Sequence, residues 1–275
     1  MGLPFNMEIL FNKIIMNILN LNIEKFFQEI YNILKSSKKE LDEPWFLIKE
    51  IEYLINFNDF EIDCFLSSFD FIKKEQWNHI SINKIQFILE SLKILDYDVS
   101  KLSRFLSYQG FEQLIKEILK LEGYSVISNF RFSDKSYFKY ETNQKRYEID
   151  VIGLKNNFLL LIDAKQYNKR DSFSALNKAA DLQYRRLIAL KKNKEVLDSI
   201  ISDLVKYPNK LKKKLPLKLI PIIITLEESS FKTSCDQIPL VSIYKIKSFL
   251  NELKDNLQFF NYIKINKISI QKHLE

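Results

Sequence analysis

The chain has 275 residues, of which 46% are hydrophobic and 28% are charged, a balance typical of a folded globular protein. Two cysteines and two histidines are too few for a disulfide framework or a recognisable four-ligand zinc site, so we expect a reducing, cytoplasmic setting. No stretch reaches the roughly 18 uninterrupted apolar residues of a membrane span, and no secretory leader is recognisable, so we expect no membrane partner.

The formal net charge of +7 is unevenly distributed along the chain. Residues 1–105 carry 12 basic and 16 acidic side chains, whereas residues 185–214 carry 10 basic and 3 acidic ones. Concentrated positive charge is what a polyanion-binding surface requires, although a solvated, lysine-rich helix and loop would give the same count. A nucleic-acid-binding surface is therefore expected in the C-terminal part, if the chain has one.

The first 105 residues are predicted to form an all-helical region. Apolar residues recur there at three- and four-residue spacings in FNKIIMNILNLNIEKFFQEIYNILK, EPWFLIKEIEYLINF and INKIQFILESLKIL. FEIDCFLSSFDFI and DVSKLSRFLS are predicted to be shorter helices, and the polar segments NFND, KKEQWN and DYD separate the elements. The abundant aromatic side chains are expected to form the core of a small bundle, and none of them indicates a chemistry.

From residue 106 onward the pattern changes to a mixture of helices and strands. The predicted order is a helix (QGFEQLIKEILKLEGY), three strands (YSVISNFRF, RYEIDVIGL and NFLLLIDAKQY) and a helix (SFSALNKAADLQYRRLIALKKN). A second helix (KEVLDSIISDLVKY), two strands (LIPIIITLE and IPLVSIY) and a last helix (KIKSFLNELKDNLQFF) follow. Residues 106–275 are therefore predicted to be an α/β (α+β) domain, with a central mixed sheet flanked by helices.

Charged residues lie inside two of these apolar strands. Asp163 and Lys165 share one face of their strand, and Asp150 lies on the strand before it. The short turn KNN predicts a hairpin that brings Asp150 beside Asp163. Adjacent carboxylates repel each other unless a cation lies between them, and Mg²⁺ binds a few carboxylates together with waters and phosphate oxygens. Glu112, on the preceding helix, can supply a third carboxylate.

The alternative is structural: an Asp163–Lys165 ion pair at the end of a strand, with Asp150 facing solvent. We favour the metal site for the whole set, because Asp163 follows four apolar residues and a buried carboxylate is costly without a partner or a metal.

The set resembles the motif of the PD-(D/E)xK phosphodiesterases, the restriction-endonuclease-like superfamily, and looks closest to Mrr-type restriction enzymes and archaeal Holliday-junction resolvases. The matching residues are Glu112 in the first helix, Asp150 at the end of YEID, and Asp163 and Lys165 in the (D/E)xK element. Gln183 lies in DLQYRRL, on the helix where these families often have a glutamine or a basic residue. The resemblance covers roughly residues 105–250. No proline precedes Asp150, and Asp163 stands where many Mrr-like members have glutamate.

The resemblance implies a restriction-endonuclease-like core and a Mg²⁺- or Mn²⁺-dependent endonuclease acting on DNA, with RNA as the alternative substrate. Asp150 and Asp163 would bind the metal, and Glu112 would assist directly or through a water. Lys165 would orient the attacking water or stabilise charge on the phosphate, and Gln183 would complete the catalytic set. Many such enzymes act as dimers, so a homodimer is a possible state. The expected contacts to the nucleic-acid backbone are Arg185, Arg186, Lys210, Lys212, Lys213 and Lys214.

Two other functions are compatible with this fold. One is a non-catalytic nucleic-acid-binding protein, which intact carboxylates disfavour because negative charge beside a phosphate weakens binding. The other is an interaction protein whose acidic helical half recruits a partner. Cleavage assays with and without Mg²⁺ discriminate among these functions.

Overall fold

A computed structural model of the chain describes residues 23–95, 98–133, 146–166, 173–205, 215–226 and 232–268. The chain divides into two compact units, residues 1–107 and residues 108–275. Within the ranges described, no helix is both long and apolar enough to cross a lipid bilayer.

The first unit combines helices with a small sheet. Among the residues described, its helices are α1 (Ile23–Ser36), α2 (Asp59–Leu66), α3 (Lys84–Leu95) and α4 (Val99–Leu102). Its strands are β1 (Trp45–Leu47), β2 (Ile72–Lys74) and β3 (His79–Ile82), which form an antiparallel sheet in the order β1-β3-β2. Single 3₁₀ turns occur at Ile48–Glu50, Glu52–Leu54 and Ser103–Phe105.

The prediction that residues 1–105 are all helical is wrong, because this region also contains the three-stranded sheet β1-β3-β2. The segment EPWFLIKEIEYLINF is not a helix but strand β1 followed by two 3₁₀ turns, and KKEQWN contains the turn between β2 and β3. Strands of three or four residues are too short to show a period of two, so the three- and four-residue spacings of their neighbours dominated the pattern. The expected aromatic core is present: Phe26, Phe27, Phe69, Phe71 and Phe87 are buried and in mutual ring contact.

The second unit contains helices α5 (Tyr108–Leu121), α6 (Phe173–Lys192), α7 (Lys194–Leu204) and α8 (Ile246–Asn256). Its strands are β4 (Ser125–Ser133), β5 (Arg146–Lys155), β6 (Phe158–Lys165), β7 (Leu217–Thr225), β8 (Leu240–Ser242) and β9 (Ile263–Ile265). Two further 3₁₀ turns are Ile243–Lys245 and Leu257–Phe259. The predicted order of elements is confirmed, and β9 is an additional strand.

These six strands form one mixed sheet. Strands β4, β5 and β6 are antiparallel neighbours, whereas β6, β7 and β8 run parallel, and β9 pairs antiparallel with β7. Helices α6 and α7 bury apolar residues on it, among them Leu187, Leu190, Leu197, Ile200 and Ile201. The predicted α/β class with a central mixed sheet flanked by helices is therefore confirmed.

Candidate active site

The two strand carboxylates lie where strands β5 and β6 separate. The last paired residues of this hairpin are Val151 and Ile162, so the next residues along each strand are Asp150 and Asp163. Beyond this pair β6 continues beside β7, where Asp163 is aligned with Ile223. Residues opposite each other in an antiparallel pair share a face, and the register therefore places both carboxylates on one side of the sheet.

The other neighbour of Asp150 is also irregular. The pairing of β4 with β5 includes Ser128 with Val151 and Phe130 with Ile149, but it omits Asn129, which would lie opposite Asp150. Asn129 has a φ of 55°, in the left-handed region that few residues other than glycine and asparagine adopt. Asp150 therefore occupies a point where regular pairing is interrupted on both sides, as is common next to functional sites.

Asp163 is a buried carboxylate with a cation on each oxygen. Its side chain is 2% exposed; Lys165 Nζ lies 2.8 Å from Oδ2, and Arg186 Nη1 lies 2.7 Å from Oδ1. Burial of a carboxylate at this depth is costly unless charged partners compensate it, and both partners here are themselves mostly buried. The structural alternative considered from the sequence included an ion pair between Asp163 and Lys165, and this ion pair is observed.

Helix α6 is anchored to the same strand through Gln183. This residue is fully buried; its Nε2 donates to the carbonyl oxygen of Leu161 at 2.7 Å. Its Oε1 accepts a hydrogen bond from Arg186 Nη1 at 2.8 Å, so the amide connects the strand backbone to the arginine beside Asp163. Gln183 contributes to the site by fixing Arg186, one helical turn away.

Tyr108 and Glu112 approach Asp150 from the first turns of helix α5. The Tyr108 hydroxyl lies 3.1 Å from Asp150 Oδ2 and 2.9 Å from the carbonyl oxygen of Ala164, and the backbone N–H of Ala164 donates to the same Asp150 oxygen at 2.8 Å. Residues four apart share a helix face, which brings Glu112 to the same place. The hydroxyl of Tyr108 therefore lies among the acidic residues of the site.

Burial and mutual repulsion raise the pKa values of acidic groups at this site. Burial, and then the charge of Asp150, raise the pKa of Glu112 to about 7, although a hydrogen bond with Tyr108 opposes the shift. Burial raises the pKa of Asp150, and so does the charge of Asp163; hydrogen bonds from Ala164 and Tyr108 and the charge of Lys165 oppose it. Burial, followed by the charge of Asp150, also raises the pKa of the Tyr108 hydroxyl.

These residues fit a hard divalent cation. Among the residues described, no group of three or more His, Cys, Asp and Glu side chains is arranged to hold a metal by itself. Mg²⁺ does not require such a cage, because it keeps several waters and binds one or two carboxylates together with substrate phosphates. The raised pKa values of Asp150 and Glu112 reflect acids that a cation would stabilise in their charged form.

The structure thus brings Glu112, Asp150, Asp163, Lys165 and Gln183 together, while the roles predicted for them remain predictions. Tyr108 was not identified from sequence, although its position four residues before Glu112 was a usable signal.

The residues predicted to contact nucleic acid are placed differently from one another. Arg185 is exposed and pairs with Asp181 at 2.8 Å, whereas Arg186 is turned inward to Asp163. The remaining predicted residues, Lys210, Lys212, Lys213 and Lys214, lie outside the described residues.

Glu148 lies two residues before Asp150 on strand β5. Its carboxylate pairs with Arg131 across the strands at 2.9 Å.

Comparisons with known proteins give limited similarity. No protein-family model matches the chain, and no curated protein matches it. Two solved structures resemble it at 12% identity and a TM-score of 0.31, each over 88% of this chain: protein VC1899 from Vibrio cholerae, and Can2 from Sulfobacillus thermosulfidooxidans in complex with cyclic tetra-adenylate. The chain spans 53% and 54% of the length of these two proteins.

Proposed function

We propose that the chain is a metal-dependent nuclease that hydrolyses phosphodiester bonds, with DNA as the substrate. The observation that carries this proposal is the position of two buried carboxylates, Asp150 and Asp163, where β5 and β6 separate, with Lys165 paired to Asp163. Two crowded carboxylates with a lysine beside them provide ligands for a divalent cation and a donor for a phosphate or an attacking water. A binding module would gain nothing from this negative charge.

The chain's own residues have separable tasks in the proposed reaction. Asp150 and Asp163 would hold Mg²⁺ or Mn²⁺, which would acidify a water and stabilise charge on the phosphate. Tyr108 and the N–H of Ala164 both engage Oδ2 of Asp150, so they fix the orientation of this carboxylate. Glu112, beside Asp150, would be the third carboxylate available to the metal. Lys165 orients the attacking water or neutralises charge that develops on the phosphoryl oxygens.

A cleavage assay on supercoiled plasmid DNA tests the proposal. We expect nicked or linear product with Mg²⁺ or Mn²⁺, and intact plasmid when EDTA is present. Asp163→Asn should remove the activity, because it removes the carboxylate that meets both the metal and Lys165. A labelled single-stranded RNA in parallel reactions distinguishes the two substrate classes.

Two results would count against the proposal. Cleavage that persists in EDTA contradicts metal dependence. Cleavage by Asp163→Asn at the wild-type rate, after identical purification, places the active site elsewhere or identifies a contaminating nuclease.

A further inference from the structure

Arg186 neutralises Asp163 from inside the site. The guanidinium approaches Asp163 Oδ1 at 2.7 Å, and its side chain is only 11% exposed, so this is a partly desolvated ion pair rather than a surface contact. Its neighbour Arg185 pairs with Asp181 at the surface with 63% of its side chain exposed. Two consecutive arginines therefore experience different environments, and only Arg186 faces the carboxylates.

The contact between Arg186 and Asp163 uses one end of the guanidinium. The same atom, Nη1, donates to Asp163 Oδ1 at 2.7 Å and to Gln183 Oε1 at 2.8 Å. Arginine pairs most strongly with carboxylates and phosphates when two parallel N–H groups bind two oxygens, and this pair is not of that kind. In addition, Arg186 Nε is buried without a hydrogen-bond partner among the described residues. A buried donor left unpaired is costly, which marks Arg186 as incompletely satisfied in this state.

Gln183 restricts how far Arg186 can move. Because Gln183 Nε2 is committed to the carbonyl oxygen of Leu161 at 2.7 Å, its Oε1 must face the arginine. The bond to Gln183 gives the guanidinium a partner at the site that does not depend on Asp163.

Resting on the proposed function, we propose that Arg186 is the counter-ion of Asp163 before metal binds and that it competes with the metal for Oδ1. The carboxylate has two oxygens, and Lys165 and Arg186 each take one. Each oxygen can accept a second contact, but a divalent cation on Oδ1 would repel the guanidinium that already touches this atom. Arg186 rather than Lys165 gives way, because Arg186 contacts this oxygen and has Gln183 as a second partner. Its N–H groups, including Nε, then bind an oxygen of the phosphate that is to be cleaved. Arg186 thus weakens metal binding in the absence of substrate and strengthens substrate binding once the metal is present.

This competition predicts opposite effects on metal affinity and on cleavage. Arg186→Met removes the charge while keeping a long side chain. We expect Mn²⁺ to bind it about tenfold more tightly than the wild type, because a competing charge-assisted bond is gone. DNA cleavage should fall at least about tenfold, because the variant can no longer bind the phosphate through this side chain. An arginine that does not contact a metal ligand, such as Arg185, would not tighten metal binding when it is replaced.

Metal affinity is measured by calorimetry and by the electron paramagnetic resonance signal of free Mn²⁺, both without nucleic acid, so the readout does not depend on activity. Arg185→Met is the matched control, since it removes the same charge one residue away; its Mn²⁺ affinity should equal that of the wild type. Arg186→Lys retains the cation, and we expect a smaller increase in affinity. If Arg186→Met does not fold by circular dichroism, Arg186→Lys decides the question.

Unchanged or weaker Mn²⁺ binding in the folded Arg186 variants overturns the competition, and so does the absence of Mn²⁺ binding in every variant. The nuclease proposal fails separately, if the wild type binds Mn²⁺ but does not cut DNA or RNA.

Discussion

The carboxylate of Asp150 is held in one orientation by its neighbours. Its Oδ2 is engaged by Tyr108 and by the backbone of Ala164, so the orientation of the carboxylate is fixed before any ligand arrives. Burial and the charge of Asp163 raise its pKa, so this orientation is maintained at an electrostatic cost. Such preorganisation is expected of a ligand that must hold one geometry during a reaction.

The first prediction concerns catalysis by the individual residues. Asp150→Ala and Lys165→Ala should each reduce DNA cleavage by at least about 100-fold, because one removes a metal ligand and the other removes the charge beside the attacked phosphate. Both variants should retain the native circular dichroism spectrum, and Asp150→Ala is expected to bind DNA at least as tightly as the wild type. Cleavage rates under matched metal and salt conditions test the prediction.

Glu148→Gln is the control for these variants, because it removes a carboxylate from the same strand that pairs with Arg131 instead. It should cleave DNA at nearly the wild-type rate. Equal losses in Glu148→Gln and Asp150→Ala would show that the total negative charge matters rather than the proposed ligand.

The second prediction concerns Glu112 and pH. The pKa of Glu112 is about 7 in the folded chain, whereas its ordinary value is 4.5. Between pH 4.5 and pH 7 the folded state therefore retains a proton that the unfolded state has released. The free energy of unfolding of the wild type should therefore fall, relative to that of Glu112→Gln, as pH rises from about 4.5 to about 7, and the difference should level off above 7. The total change should be about 1–2 kcal/mol, because one pKa unit corresponds to about 1.4 kcal/mol and solvent screening reduces the full value.

Urea unfolding of both proteins at several pH values between 5 and 8, with EDTA present, measures this difference. Parallel pH profiles for the two proteins would contradict the shifted pKa of Glu112. Added Mn²⁺ should reduce the difference, because a cation favours the charged carboxylate.

At the scale of elements, the position of helix α5 on strand β5 depends on a small residue. A Cβ atom added to Gly153 would lie 3.2 Å from Leu119 Cδ1 and 3.4 Å from Tyr124 Cδ1, which is tighter than ordinary contact. Helix α5 also carries Tyr108 and Glu112, which approach Asp150 on the same strand. The glycine allows the helix to approach the sheet closely.

The third prediction follows from this close packing. Gly153→Ala should lower the free energy of unfolding by about 1–2 kcal/mol, because overpacking outweighs the small gain from replacing glycine in a strand. Urea denaturation of the two proteins measures the effect. An unchanged or increased stability would mean that Leu119 gives way without cost.

Long elements could be predicted from the sequence, whereas very short strands and contacts between residues far apart in the sequence could not. Strands β5 and β6 were recognisable from sequence because ten and eight residues suffice to show an apolar pattern interrupted by Asp150, Asp163 and Lys165. Strands β1 and β2 have only three residues each and were missed. The spacing of Gln183 and Arg186 on one helix was visible in the sequence, but the choice of Asp163 as their partner depends on how α6 packs on β6. That tertiary contact has no local signal.

At the scale of the whole molecule, the charge divides along the chain. Residues 1–105 are net acidic, and the positive charge is concentrated in residues 185–214, part of which lies outside the described residues. Acidic segments repel a polyanion, so nucleic acid should be bound through the second unit.

The fourth prediction tests this division. Changing Lys210, Lys212, Lys213 and Lys214 to Gln should weaken DNA binding at all sequences alike. The slope of log K against log salt should become shallower by about 0.9 for each phosphate that the variant no longer neutralises. Affinity measured over a range of salt concentrations reports both effects.

The control changes an equal number of exposed lysines in the first unit to glutamine: Lys35, Lys38, Lys39 and Lys49. Its salt slope should match that of the wild type. If both quadruple variants keep the wild-type slope, the basic segment serves solubility, and the DNA-contacting surface lies elsewhere, with the helix that carries Arg185 as the next candidate.

The left-handed backbone at Asn129 has a consequence for which sequences this fold accepts. Strand positions ordinarily favour valine, isoleucine and threonine, whose branched side chains fit extended backbone and are strained at a φ of 55°. If position 129 is fully randomised and the library is selected for folded, active protein, asparagine, aspartate and glycine should be recovered, and branched residues should be depleted. Neighbouring positions of the same strand, such as Val126 and Ile127, should show the reverse preference. Recovery of valine at position 129 at the frequency found at 126 would mean that the irregular pairing beside Asp150 is dispensable.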